Sequence, residues 1–155
     1  ACGQIPVQRN SAAAKDAIGE AVAAVEQGRA VVVYVEGTIT LDPDLWPMRG
    51  RTGAARIALG TKAPVVPIGQ WGAQDVMYGK RIHFPHLLPR KTFRLVVGDP
   101  VPLDDLRALP MTAAVLDEAT ERILTAITAL VADLRGKQPP AQRFDPRRPA
   151  AGAGR

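Results

Sequence analysis

The sequence predicts an α/β fold, with a mixed, mostly parallel sheet flanked by helices. Three observations lead to this prediction: an apolar run at 30–35, an amphipathic helical pattern before it, and a continued alternation of helical and strand-like segments after it. A run that is apolar on both faces is typical of a central parallel strand covered by helices above and below. A length of 155 residues fits one domain.

The helix before this run is indicated by apolar residues at spacings of four and three. They are Ala14, Ile18, Val22 and Val25. Ser11 can cap its start and Gly28 can end it, so we expect an amphipathic crossover helix that leads into the strand at 30–35.

The later elements follow from the same signals. We expect a second helix from Gly53 to about Leu59, a short buried strand at 64–70, a loop at 78–91 and a strand at 93–98. A last helix at 113–134 carries an apolar face made of Leu116, Ile123, Ile127, Leu130 and Leu134.

The charge of +5 is concentrated in the C-terminal segment. Six of the 20 basic residues and one of the 15 acidic residues lie from Arg135 onward, so residues 1–134 carry equal numbers of each. The last 20 residues are rich in proline, glycine, alanine and arginine and have little to bury. We therefore predict a domain at 1–135, incomplete at its N-terminus, and a disordered basic tail at 136–155.

Composition also excludes several classes of function. The single cysteine, Cys2, rules out an internal disulfide, and no apolar run approaches the roughly 20 residues that span a bilayer. The two histidines, three residues apart with no carboxylate or cysteine nearby, are a poor metal-ligand set. A neutral body and a tail almost without aromatic residues argue against nucleic acid as a partner.

Polar residues follow the predicted central strand directly, at Glu36, Gly37, Thr38 and Thr40. In open α/β sheets, ligands bind beyond the carboxyl ends of the strands. Gly37 permits a tight turn, the hydroxyls can donate or accept hydrogen bonds, and Glu36 can hold a substrate hydroxyl. The alternative is an ordinary turn at the end of a strand.

Two arginines, Arg49 and Arg51, precede the second predicted helix, which opens at Thr52. Guanidinium groups beside the free amides of a helix N-terminus can bind a phosphate group. The alternative is a pair of solvated arginines.

Three ordered blocks of the sequence resemble the glycerolipid acyltransferase family. "GQIPVQR", from Gly3 to Arg9, resembles the second block of the family, "YVEGTIT" the third and "APVVPIG" the fourth, over about residues 3 to 100. Two positions depart from the family pattern: Val35 stands in place of a proline and Ile39 in place of an arginine. The phosphate contact then falls to Arg9, Arg49 or Arg51.

The first block of the family, His-x-x-x-x-Asp, is not present in the chain. His83 is followed five residues later by Leu88, and His86 by Lys91. In the family this histidine is the general base that activates the acceptor hydroxyl, so the resemblance implies a C-terminal portion that lacks its catalytic residue and is inactive alone.

The resemblance implies transfer of a fatty acyl group from acyl-CoA or acyl-carrier protein to 1-acyl-sn-glycerol-3-phosphate, which gives phosphatidic acid. No cofactor or metal is implied; the acyl thioester is a co-substrate, and acyl-carrier protein is a further partner. The implied location is cytoplasmic, at the inner face of the membrane. The implied substrate-binding residues are Arg9, Glu36, Gly37, Thr38, Thr40, Arg49 and Arg51.

Three other classes of function stay open at this point. The first is a catalytically dead lipid-binding, anion-binding or regulatory domain, and the second is a nucleic-acid binder that uses the basic tail. The third is another α/β phosphotransferase or nucleotide binder, against which stands the lack of a Walker-type loop and of Gly-x-Gly-x-x-Gly.

The loop at 78–93 has basic ends around an apolar middle, a pattern suited to shallow insertion into an anionic membrane surface. The predicted membrane contacts are Lys80, Arg81, Phe84, Leu87, Leu88, Arg90 and Lys91. The alternative is that the apolar residues cap the core beneath a long surface connection.

Overall fold

The computed structural model describes residues 4–5, 13–77, 85–86 and 88–147. These residues form α1 (Ala13–Glu26), α2 (Gly53–Gly60), β1 (Ile68–Trp71), β2 (Arg94–Val97), α3 (Asp104–Arg107) and α4 (Ala113–Arg135). A single 3-10 turn, Ala73–Asp75, follows β1. The predicted helices and the strand at 93–98 are thus found, with bounds that differ by one or two residues.

The sheet differs from the predicted one. Among the described residues it has two strands, β1 and β2, which pair antiparallel in the register Ile68 with Val97 and Trp71 with Arg94. The strand predicted at 64–70 begins only at Ile68. A mostly parallel sheet is therefore not shown by this part of the chain.

Residues 30–35, predicted as a buried central strand, form no strand in the structure. Val32 is 78% exposed and Tyr34 is 73% exposed. A strand needs partners for its amides and carbonyls. In the described structure this run receives a local turn bond, from the Gly37 N–H to the Tyr34 carbonyl, and one bond from a more distant residue, from the Arg51 N–H to the Val35 carbonyl. Apolar composition alone does not supply such partners.

The core lies between α2, α3 and α4. It contains Ala55, Ala58, Val101, Leu103, Leu106, Leu116, Ala119 and Ile123. Arg107 connects α3 to the end of α2, since its side chain donates to the Ala58 carbonyl at 3.2 Å and to the Ala63 carbonyl at 2.6 Å. The first bond satisfies a carbonyl in the last turn of α2, which has no partner within the helix, and the second holds the segment that follows α2.

The helix α4 is bounded by strong local signals. Thr112 accepts a hydrogen bond from the Val115 amide at its start, and Gly136 ends it in the left-handed conformation with φ 59°. Of the predicted apolar face, Leu116, Ile123 and Leu134 are buried. Gly69 of β1 lies so close to Leu130 that a Cβ atom would approach to 2.6 Å, so β1 sits directly on α4.

The buried face of α1 is not the predicted one. Ala17, Ala21 and Ala24 are buried, while Ile18 and Val22 are half-buried. Val22 lies beside the end of α2, since a Cβ built on Gly60 would be 3.7 Å from Val22 Cγ2. The most buried residues of α1 are thus alanines, to which a hydrophobicity pattern gives less weight than to isoleucine or valine.

The tail was predicted to be disordered from residue 136. Its described part, 136–147, lies against the body, where the Phe144 carbonyl accepts a hydrogen bond from the Arg49 amide at 2.8 Å. Arg143 also donates to Thr128 Oγ1 at 2.8 Å. The predicted boundary of the domain at 135 and the predicted disorder of the segment 136–155 stay predictions.

Candidate functional site

Glu36 is the first residue of a loop, and its side chain binds the backbone amide of the last residue of that loop. The Gly37 amide donates to the Tyr34 carbonyl at 2.9 Å in a tight turn where Gly37 has φ 67°, a conformation that favours glycine. Twelve residues later, the Met48 amide donates to Glu36 Oε2 at 3.0 Å. Residues 36–48 thus form a closed loop, which we call the Glu36 loop.

The environment of Glu36 is unusual for a carboxyl group. Burial raises its pKa above the ordinary value, and the Met48 amide, the Thr40 hydroxyl and the charge of Arg143 lower the pKa in part. A carboxyl group with a raised pKa is more readily protonated, and in that form it can donate a hydrogen bond to an acceptor. Glu36 can therefore organise the loop through one oxygen and interact with a ligand as well.

The interior of the Glu36 loop is ordered by Thr40 and Asp42. The Thr40 hydroxyl donates to the Trp46 carbonyl at 2.8 Å. Oδ1 of the buried Asp42 accepts from the Asp44 amide at 2.9 Å and from the Trp46 amide at 3.1 Å. Thr40, predicted as a substrate contact, thus holds the loop backbone, and the prediction that it touches substrate stays untested.

Arg51 lies beside the turn at Gly37. A Cβ on Gly37 would come within 3.5 Å of Arg51 Cδ, so the arginine side chain runs along the glycine. The Arg51 amide also donates to the Val35 carbonyl at 3.0 Å. The structure therefore brings together Glu36, Gly37 and Arg51, three residues predicted to bind substrate.

The start of α2 closely follows Arg51 in the chain and has no side-chain cap. Thr52 precedes the helix but makes no side-chain capping hydrogen bond. The first amides of a helix have no partner within the helix, so uncapped amides and exposed arginine side chains stand at neighbouring positions of the chain. This arrangement can bind an anion.

Arg49 is held by the C-terminal segment. Its Nη1 donates to Asp145 Oδ2 at 3.1 Å, and its amide donates to the Phe144 carbonyl. Arg143 joins the same region, because its Nη1 is 3.4 Å from the Pro47 carbonyl and its Nε is 3.5 Å from Glu121 Oε2. The contacts of Arg143, Phe144 and Asp145 with the body were not predicted from the sequence. The one signal for them was the presence of an aromatic and an acidic residue in an otherwise basic segment.

A second contact that the sequence did not predict involves Arg135 at the end of α4. Its guanidinium carbon lies 4.0 Å from the ring centroid of Trp46 and 4.2 Å from that of Trp71. Such cation–π contacts are attractive. They join the far end of the Glu36 loop to α4 and to β1, and they involve both tryptophans of the chain.

The remaining predicted residues are only partly described. Thr38 is half-buried in the bend after Gly37, and Arg9 lies outside the described residues. Of the predicted membrane contacts, Lys80, Arg81, Phe84 and Leu87 also lie outside them. Leu88, Arg90 and Lys91 are exposed, as a surface contact requires, but the contact itself stays a prediction.

The described residues contain no helix that is both long and apolar enough to cross a membrane. Within the same ranges, no group of three or more histidine, cysteine, aspartate or glutamate side chains is placed to hold a metal ion.

Comparison with protein families matches residues 1–71 with the model of the Acyltransferase family. No curated protein matches the chain, and no solved structure matches it. The matched segment contains the Glu36 loop, Arg49 and Arg51, so the candidate site lies within it. Residues 1–71 are therefore similar to the acyltransferase family, in agreement with the resemblance of the sequence blocks over this segment.

Proposed function

We propose that this chain carries the acceptor-binding part of an enzyme that transfers a fatty acyl group to 1-acyl-sn-glycerol-3-phosphate and so forms phosphatidic acid. The family match over residues 1–71 is the observation that carries the proposal. The acyl donor is a thioester of coenzyme A or of acyl-carrier protein.

The charges of the site support an anionic acceptor. Arg51 lies beside Gly37, Arg49 is close in the chain, and the amides at the start of α2 are not capped by Thr52. Guanidinium groups and helix-end amides are suited to a phosphate monoester. In the proposal the arginines bind the phosphate, and Glu36, Thr38 and Thr40 align the glycerol portion.

The chemical step needs a general base that the chain lacks. The acceptor hydroxyl oxygen attacks the thioester carbonyl carbon, the carbon–sulfur bond breaks, and the hydroxyl proton passes through the base to the departing thiol. Neither His83 nor His86 stands in a His-x-x-x-x-Asp block. General-base assistance is commonly worth about two to four powers of ten, so the 155-residue chain should bind acceptor without turning it over.

The test combines binding with turnover. The purified chain should bind lysophosphatidic acid more tightly than a lysolipid without phosphate, and it should give no phosphatidic acid from acyl-CoA. Arg51→Gln should weaken binding, whereas Arg56→Gln, on the exposed side of α2, should not. If lysolipids with and without phosphate bind equally, and Arg51→Gln binds like the wild type, the proposed site is excluded. Turnover by this chain would show that it contains a general base outside a His-x-x-x-x-Asp block.

The second candidate is a lipid- or anion-binding domain without catalysis, and the missing histidine block favours it. The two functions differ when the chain is joined to a segment that contains a His-x-x-x-x-Asp block. Restored acyl transfer supports the enzyme, and unchanged binding without transfer supports the binding domain.

We also propose that the protein works at the inner, cytoplasmic face of a membrane, with the loop at 78–93 as the contact. Four basic residues near an anionic surface contribute about 4 kcal/mol at about 1 kcal/mol each. Vesicle sedimentation of Arg90→Glu/Lys91→Glu, compared with Arg56→Glu/Lys62→Glu as a charge-matched control at two exposed residues, tests it. Equal sedimentation of both variants and the wild type would refute this contact.

A further inference from the structure

The guanidinium of Arg49 already has an anionic partner. Asp145 Oδ2 accepts its Nη1 at 3.1 Å, with 43% of the Arg49 side chain and 15% of the Asp145 side chain exposed. The other oxygen of Asp145 accepts the Arg147 amide at 2.9 Å. This backbone bond and the Arg49 charge lower the pKa of Asp145, so the group is a carboxylate at neutral pH.

The segment that carries Asp145 is held in place by bonds that do not involve the Asp145 side chain. The Phe144 carbonyl accepts the Arg49 amide, and Arg143 donates to Thr128 Oγ1 at 2.8 Å. Arg143 also faces Glu121. The Asp145 side chain can therefore leave Arg49 while the segment 143–145 stays on the body.

The backbone of Arg49 is likewise held without Asp145. Its amide donates to the Phe144 carbonyl, and the preceding amide, that of Met48, donates to Glu36. An ion pair with a partly exposed guanidinium contributes little to stability, about 0 to 1 kcal/mol, whereas a phosphate can accept two parallel hydrogen bonds from one guanidinium. A phosphate group can thus displace the carboxylate.

We propose that Asp145 is an intramolecular competitor of the anionic acceptor for Arg49, so that the C-terminal segment limits the anion affinity of the site. The inference rests on the proposed function, in which Arg49 contributes to phosphate binding. It assigns a regulatory role to a segment outside the residues matched by the acyltransferase family.

Calorimetric titration of the whole chain with glycerol 3-phosphate tests the proposal. Asp145→Asn keeps an oxygen for the Arg147 amide but removes the negative charge, and it should tighten binding about threefold to tenfold, the effect of one unit charge beside a half-exposed guanidinium. The gain should shrink as salt rises. Asp117→Asn, an exposed change of the same charge on α4, is the matched control and should bind like the wild type.

A second pair of variants assigns the effect to Arg49. In an Arg49→Gln background, Asp145→Asn should change affinity less than twofold, because the guanidinium for which Asp145 and the phosphate compete is absent. Weaker binding by Asp145→Asn would show that Asp145 orients Arg49 for the ligand, and unchanged binding would show that the ion pair is irrelevant; either result overturns the inference while the proposed site stands. Absence of binding in the wild type and in Asp145→Asn alike would overturn the site and the inference together.

Discussion

The bond between Glu36 and Met48 can be tested by removing its acceptor. Met48 is 2% exposed, and its amide donates to Glu36 Oε2 at 3.0 Å. In Glu36→Ala this amide has no acceptor from Glu36, and a buried donor without a partner costs about 1–3 kcal/mol. We expect the free energy of unfolding of the chain to fall by that amount.

The variant Glu36→Gln separates the hydrogen bond from the charge. Its amide oxygen can still accept the Met48 amide, so the loss should be under about 1 kcal/mol, the difference between a charged and a neutral acceptor. Burial of a neutral side chain also avoids the desolvation that raises the pKa of Glu36. The free energies of unfolding of the wild type and of Glu36→Gln should therefore be similar, and that of Glu36→Ala should be clearly lower.

Urea unfolding at pH 7, followed by tryptophan fluorescence, measures these differences, because Trp46 lies in the Glu36 loop two residues before Met48. Glu20→Ala, an exposed change on α1, is the control and should alter stability by no more than about 0.5 kcal/mol. If Glu36→Ala and Glu36→Gln are equally unstable, or if both resemble Glu20→Ala, the carboxylate does not hold the loop as described.

Further outcomes follow from the same structure. Burial raises the folded pKa of Glu36 above its ordinary value of 4.5, so its contribution to stability is present in acid and is lost as pH rises through the folded pKa. The stability of the wild type relative to Glu36→Gln should therefore fall as pH rises above 4.5, and a pH-independent difference in urea unfolding contradicts this. Val32→Lys/Tyr34→Lys should cost less than about 1 kcal/mol in the same assay, since both side chains are exposed, and a loss above about 3 kcal/mol would show that 30–35 is the buried strand that the sequence predicts. Leu124→Ala should cost about 2–5 kcal/mol, because Leu124 is fully buried in α4, and a loss below 1 kcal/mol would contradict that packing. Gly136→Ala should cost about 1–2 kcal/mol, because Gly136 has a left-handed backbone conformation that is strained for alanine. A Cβ atom there would meet no other part of the described structure, so the cost is that of the backbone alone, and a gain in thermal stability would refute the conformation.

Elements governed by local interactions were predictable. The last helix was expected at 113–134 and is found at Ala113–Arg135, because Thr112 and Gly136 act on backbone groups within a few residues. The predicted run at 30–35 was not found as a strand, since strand formation depends on partners distant in the chain. The most buried face of α1 was also mispredicted, because Ala17 and Ala21 are buried although alanine contributes little to a hydrophobic pattern.

The candidate site shows the same division. A turn with polar residues at Glu36 and Gly37 was expected from the sequence alone, and the structure places a tight turn there. The bond from Met48 to Glu36 spans 12 residues, and the ion pair of Arg49 with Asp145 spans 96. No periodicity or motif reports contacts at these separations.

The sequence by itself therefore determined the positions of α1, α2 and α4, the polar turn after residue 35, the basic residues before α2 and the resemblance to an acyltransferase family, whereas the short helix α3 was not predicted. The tertiary structure alone decided that Glu36 closes a loop, that Arg135 contacts the rings of Trp46 and Trp71, and that Asp145 forms an ion pair with Arg49. The physical reason is that caps, turns and helical periodicity act between near neighbours in the chain, whereas the partner of a buried amide or of a guanidinium is set by which distant segments fold against each other.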